Sequence, residues 1–382
     1  MPAVFRSALM ALLVLAQPGV AETLRIATYN PEMTRDGAGV LLHDLQEDAS
    51  EEIAAALAVI RAVRPDVLLL ARFDHDLRGR ALDTFRALLR QGPDGIDYPH
   101  AFHAPVNAGA PSGLDLDGDG LPMGPDDAHG WGRFPGHGGL ALLSRYPIDA
   151  EAARTFRTML WQDLPGARLP LGPDGEPWPD AARRAAMRLS SRSHWDVPVV
   201  LPDGARLHLL AAGPTPPLFD GPEGRNRLRN HDEVAFWTAY LDGLALEDDG
   251  GRTAGPPDAP VIVLGDLNID PADGAGDPAA LRRLLAHPRL QDPRPRSDGG
   301  ARAAEAQGGA NTSHVGDPGL DTADWRDGDG GPGNLRVDYV LPDARLAVAD
   351  AGVFWPAPGE PLAAEAAGAS AHRLVWVDVE LP

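Results

Sequence analysis

The sequence predicts an α/β fold, a two-sheet sandwich flanked by helices, on three observations. Short runs rich in β-branched residues read as buried strands. They alternate with stretches whose apolar residues fall at helical spacing, and the chain closes on one more run, Val375-Trp376-Val377-Asp378-Val379. The length of 382 residues accommodates one large α/β domain, with two smaller domains also open.

The elements follow in order. Residues 1–21 read as a secretory signal peptide: Arg6 follows the start, an apolar run extends from Ala8 to Ala16, and Gly19-Val20-Ala21 offers a small-residue cleavage site. That run is too short for a membrane span, so an exported chain, periplasmic or secreted, is expected to begin at Glu22. Residues 22–382 are read as one domain. A strand at Leu24-Arg25-Ile26-Ala27 ends in Asn30-Pro31-Glu32, and residues 49–63 are Ala-rich with Ile53, Leu57 and Ile60 at helical spacing. A strand at Val67-Leu68-Leu69-Leu70 and a helix over 84–89 come next. Residues 92–139 form a Gly/Pro/Asp-rich insertion, and 166–182, 248–259 and 292–333 are similar connections. Strands are expected at 193–196, 207–210, 261–264 and 335–341, with a helix over 230–241 that buries Phe236, Trp237 and Tyr240.

Three clusters carry chemistry. Val261-Ile262-Val263-Leu264 ends in Gly265-Asp266-Leu267-Asn268, and the strand repeat of two turns Asp266 and Asn268 to one side, just beyond the sheet edge. A carboxylate and an amide so placed suit a hard divalent cation, a phosphoryl oxygen or an attacking water; an ordinary polar turn is the simpler alternative. In the insertion, Asp115, Asp117 and Asp119, with Gly120 sixth and Asp126 twelfth, match the oxygen-ligand register of a calcium loop without flanking helices. Arg225, Asn226, Arg229 and Asn230, before or at the start of the 230–241 helix, offer forked and amide donors to phosphate, or else caps and solvated charge.

Composition narrows the partners. There is no Cys, which excludes disulfides, thiolate zinc sites and a cysteine nucleophile, and every basic side chain is Arg. A formal net charge of −21 opposes long-range capture of long nucleic acid and favours smaller phosphoesters. Neither a Gly-x-Ser-x-Gly elbow nor a Walker loop is present. Oligomeric state is left open.

Four pieces then fall in one order: Thr28-Tyr29-Asn30, Gly265-Asp266-Leu267-Asn268, Arg336-Val337-Asp338-Tyr339 and Ser370-Ala371-His372. This set resembles the endonuclease/exonuclease/phosphatase superfamily, the four-layered DNase I-like fold. The resemblance implies a metal-dependent phosphoesterase. In it Asn30 orients phosphate, Glu32 binds Mg²⁺ or Mn²⁺, and Asp266 and Asn268 hold the water and a phosphoryl oxygen. His372 is the acid/base group, oriented by Asp338. Three positions depart from the family pattern: Arg72 stands where a metal-binding Glu is usual, Ala212-Gly213 where Thr/Ser-His is usual, and Ala371 where Asp is usual. Asp74 or Asp76 is then a substitute metal ligand and Arg72 a phosphate binder. Those losses keep a second reading open, a catalytically degenerate binding protein stabilised by calcium.

Overall fold

Each predicted strand segment falls in or beside a strand of the computed structural model, which describes residues 23–47, 50–328 and 330–381. The expected signal peptide, residues 1–21, lies outside the described residues. Strands β1 (Thr23–Tyr29), β2 (Val67–Phe73), β3 (His100–Phe102), β4 (Gly139–Ser144) and β5 (Arg154–Thr155) come from the amino-terminal part. They are followed by β6 (His194–Val200), β7 (Arg206–Ala212), the short pair β8 (Leu246–Glu247) and β9 (Thr253–Ala254), and β10 (Val261–Asp266). A second short pair, β11 (Ala323–Asp324) and β12 (Asn334–Leu335), precedes β13 (Asp338–Pro342), β14 (Val348–Phe354) and β15 (Leu374–Glu380). The helices are α1 (Val40–Gln46), α2 (Glu51–Val63), α3 (Arg80–Leu89), α4 (Ala181–Ala185), α5 (Arg225–Leu241), α6 (Ala279–Leu285), α7 (Asp298–Gln307) and α8 (Ala363–Ala369).

The main strands form a six-stranded sheet, β14-β15-β1-β2-β4-β3, and a five-stranded sheet, β13-β10-β7-β6-β5. Side-chain alternation sorts them into four layers. Ile26 of β1, Leu69 of β2, Leu209 of β7 and Ile262 and Leu264 of β10 share one core between the sheets. The opposite parity, Ala27, Leu68, Leu70 and Leu143, packs under α1, α2, α3 and α8. On the other sheet Val261, Val263, Leu210 and Tyr339 pack under α5 and α6. Ile262 and Leu264 are fully buried, each stabilising by about 1.5–3 kcal/mol relative to exposure.

Local chemistry explains where the helices start and stop. In α2, Glu51 and Glu52 complement the amino-terminal dipole, and Arg64 ends the helix in the left-handed conformation. Helix α5 begins at Arg225, five residues before the expected start, because the Asp220 carboxylate accepts from the backbone N–H groups of Asn226 and Arg227. Asn230 is therefore a buried mid-helix residue and not a cap. The 292–333 segment, expected as a connection, contains α7, whose first turn is capped by Ser297 Oγ accepting from Gly300 N at 3.0 Å. Gly299 is required there: a Cβ would lie 1.9 Å from the Trp355 carbonyl oxygen. The 92–139 insertion carries β3 and two isolated bridges, Ala108–Gly130 and Pro111–Ala128, and buries Leu116 under the second sheet.

Candidate active site

The parity that fills the inter-sheet core also aims the polar residues that follow it. Asn30 continues the Leu24–Ile26–Thr28 series, Asp266 continues Ile262–Leu264, and Asp338 shares the face of Val340. Asp266 and Asp338 are direct partners across the antiparallel β10–β13 pair, so two buried carboxylates stand side by side. Gly265 lets β10 approach β7: at φ +148° a Cβ would sit 2.0 Å from the Ala212 carbonyl oxygen.

His372 completes the group from the loop before β15. Its Nδ1 lies 2.9 Å from Asp338 Oδ2 and its Nε2 4.0 Å from Asp266 Oδ2. Thr322 fixes Asp338, donating from Oγ1 to Oδ2 at 2.9 Å while accepting from the N–H groups of Val337 and Asp338. Asp338 Oδ1 is buried without a hydrogen-bond partner among the described residues. The Trp325 ring stands edge-on to His372, centroids 5.4 Å apart. Burial alone would push the imidazole down, but the charges of Asp338 and Asp266 outweigh it and raise His372 to about 9. Burial pushes the Asp338 carboxyl up, against the opposing pull of His372. At neutral pH the imidazolium form is the stable one, with Nε2–H directed towards Asp266.

Asn30 is fully buried and acts as a brace: Nδ2 donates to Asp266 Oδ2 at 3.0 Å, and Oδ1 accepts from Glu32 N at 3.0 Å. Asp266 Oδ1 accepts from Asn268 N at 3.0 Å, and Asn268 Nδ2 donates to the Pro214 carbonyl. Glu32 adopts φ +51° and Asn268 φ +54°, left-handed conformations that Asn tolerates and Glu does not favour. Ser370 Oγ and Ala371 N donate to Glu32 Oε2 at 3.2 and 3.0 Å, while Oε1 has no partner among the described residues.

Several expected residues are placed elsewhere. The two Asp74 oxygens are engaged by backbone, accepting from Arg35 N and Gly138 N, each at 2.8 Å, and so tie two loops together. Burial raises that carboxyl to about 6. Arg229 is turned inward and donates to the carbonyls of Leu189, His129, Arg188 and Ser190. Asn230 donates to the Thr215 and Leu267 carbonyls, so neither residue faces the cleft. Arg225 and Asn226 do line a cleft of about 470 Å³ together with Arg72, although the Asn226 amide is engaged with Leu218 O. In the insertion loop Asp126 lies 3.8 Å from Arg225, and Asp127 takes its expected place beside Asp115 and Asp117. Asp119 does not join that group; its Oδ1 accepts from Leu121 N. Asp115 also pairs with Arg183 at 3.2 Å.

Two acidic clusters thus offer oxygens or nitrogens within 4.8 Å of one another: Asp266–Asp338–His372 and Asp115–Asp117–Asp127. Thr322, Ser370 and Arg192 were not marked as site residues by the sequence. Thr322 sits in the 292–333 segment read as a connection, Ser370 opens the Ser370-Ala371-His372 piece but was given no role of its own, and Arg192 falls in no motif. No helix among the described residues is long and apolar enough to cross a membrane.

An acid–base pair beside a buried carboxylate, at one end of a two-sheet sandwich, defines a class that the sequence comparison names. The Endonuclease/Exonuclease/phosphatase family model matches residues 46–372, and the chain belongs to this family. Among solved structures it is similar to an endonuclease/exonuclease/phosphatase from Beutenbergia cavernae DSM 12333, with TM-score 0.50, 18% identity, and 94% of this chain and 72% of that one covered. A family protein from Leptotrichia buccalis C-1013-b matches with TM-score 0.50, 14% identity, and 94% and 100% covered. A sphingomyelinase C from Streptomyces griseocarneus matches with TM-score 0.46, 17% identity, and 94% and 99% covered. No curated protein sequence matches the chain. At these identities the structural likeness carries the DNase I-like fold alone.

Proposed function

We propose that the chain is an exported phosphoesterase that hydrolyses a phosphoric ester with a divalent cation, Mg²⁺ or Mn²⁺. The observation that carries this is the buried Asp266–His372–Asp338 group braced by Asn30. Asp266 holds the attacking water and takes its proton as the new P–O bond forms. Asn268 fixes the Asp266 carboxylate through its backbone N–H. The His372 imidazolium, its tautomer held by Asp338, gives its Nε2 proton to the leaving oxygen as the ester P–O bond breaks. Glu32, with Oε2 fixed and Oε1 unengaged, is a hard oxygen donor suited to a cation that keeps most of its shell for water and substrate. Such a cation would supply Lewis-acid stabilisation of the charge on the phosphoryl oxygens. Export rests on the sequence of residues 1–21. Calcium in the 115–127 loop is part of the same proposal, as a stabiliser held by Asp115, Asp117 and Asp127.

The test is turnover of a chromogenic phosphodiester and of plasmid DNA by the chain from Glu22, after chelation and re-addition of Mg²⁺, Mn²⁺ or Ca²⁺. The expected result is metal-dependent diester cleavage that falls about 10²–10⁴-fold in Asp266→Ala and in His372→Ala. Melting temperatures along the same series should rise with Ca²⁺ and lose that rise in Asp117→Ala. Equal turnover in wild type and both site variants would refute the catalytic assignment, and a Ca²⁺-insensitive melting temperature would refute the calcium loop.

A further inference from the structure

Resting on the phosphoesterase reading, we infer that Arg72 and Arg192 form a second phosphate site beside the reacting centre. The substrate is then an organic ester bearing a further phosphate group, its apolar body lying against Trp131 and Phe219.

Arg72 is presented by a distortion of β2. The register of β2 against β4 shifts between Ala71 and Phe73, and Arg72, the extra residue, adopts φ +48°. A bulge re-aims a side chain, and a branched-free but bulky residue held left-handed costs about 1 kcal/mol or more that the surroundings must sustain. The guanidinium so aimed has no hydrogen bond or ion pair among the described residues, and its Nε is buried without a partner.

Arg192 reaches the same cleft from the loop before β6. Its Nε and Nη1 donate to the carbonyl oxygens of Gly138 and Gly213 at 2.6 and 3.0 Å, which leaves Nη2 without a partner among the described residues. No carboxylate forms an ion pair with it among the described residues, although the charges of Asp266 and Glu233 act on it. Gly213 makes the room: a Cβ there would stand 3.1 Å from Arg192 Cδ. The two positions where the family pattern has an acid and a histidine therefore hold a guanidinium and the space for another. Burial, and next the charge of Arg72, push Arg192 down to about 10, as two like charges in one desolvated pocket must.

The cleft fits an anion with an apolar body. It measures about 470 Å³ and is lined by Arg72, Arg192, Arg225, Trp131 and Phe219, with Asp126, already 3.8 Å from Arg225, as its one carboxylate. That is a local reversal of sign in a chain of net charge −21. Phe219 and Trp131 are 88% and 50% exposed, large apolar surfaces at the rim. Forked guanidinium donors match phosphate oxygens. Neither Asp266 nor His372 lines this cleft, while the Asp266 charge acts on Arg192, which places the anion beside the reacting centre.

Calorimetric titration with inorganic phosphate, in a His372→Gln background that silences turnover, tests the site directly. Binding should weaken by about ten-fold or more when Arg72→Gln is added, and recover in part with Arg72→Lys. In the otherwise native chain, Arg72→Gln should raise the ratio of KM for a diester bearing a further phosphate to KM for bis(p-nitrophenyl) phosphate by a similar factor. Phosphate binding that is absent before the substitution, or unchanged by it, would overturn the site. The titration reads binding without turnover, so an inactive chain that still binds phosphate through Arg72 would sink the enzyme reading and leave this site standing.

Discussion

His372 is buried between two carboxylates, and its charge sets the pH behaviour of the centre. Its ordinary value is 6.5 and the folded value is about 9. Between those values the folded chain binds more protons than the unfolded one, so this group's contribution to stability is complete below pH 6.5 and is lost as pH rises through about 9. Catalysis through the imidazolium loses its acid over the same upper range. We expect an alkaline limb of kcat near pH 9 that moves to lower pH in Asp338→Asn, because the larger of the two raising charges is removed. A pH–rate profile whose alkaline limb is unmoved in Asp338→Asn would remove His372 from the role of acid. Asp266 was legible in the sequence because it ends an apolar strand, where alternation fixes the direction of the side chain, and Asn30, Asp338 and His372 because they fall in one resembling order with it. The roles of Thr322 and Ser370 were not, because tertiary contacts give them: Thr322 bonds Asp338 beside the Ala323–His372 bridge, and Ser370 bonds the Asn30 carbonyl and Glu32 from the far end of the chain.

At the level of the element, β10 depends on glycine. Gly265→Ala would put a methyl group 2.0 Å from a backbone oxygen, which cannot rotate away as a side chain would, and at a φ of +148° that Ala resists. We expect a loss of about 3 kcal/mol or more in urea unfolding, together with lost activity, since Asp266 follows directly. A loss under about 1 kcal/mol would mean that β7 yields without strain. Helix α5 teaches where reading by element fails. The sequence placed its start at Asn230, a good cap, yet the working cap is Asp220, ten positions earlier and outside the helix. Arg225 and Arg229, like Asn226 and Asn230, lie four apart on one helix face, so depth along the helix separates them: the first turn reaches the cleft, and the second lies in the interior. The same kind of shift, by one residue, turned Asp126 to Arg225 and Asp127 to the acidic loop. Local patterns name the residue types at such sites, and the tertiary partner chooses which neighbour is used.

Across the whole molecule the charge is the dominant property. At −21 the surface repels polyanions beyond the short range of the cleft arginines. Duplex DNA should therefore show no retention in a gel-shift assay at 50 mM salt, a condition chosen because screening is weak there. Retention that weakens steeply with added salt would instead reveal a basic face made by the folded chain. The four-layer architecture was legible as a class, from alternating strands and helices. The order of strands within each sheet was not, because it is set by pairings between residues far apart in the chain. Among these, β1 lies between β2 and β15, and Thr23 is opposite Glu380. That pairing fixes a time as well as a shape. During synthesis β1 emerges early and waits with one edge bare until residues 374–380 exist, and His372 reaches Asp338 only then. Until residues 372–380 have been made the nascent chain has neither a finished sheet nor an assembled centre, so any chemistry of that centre must wait for them.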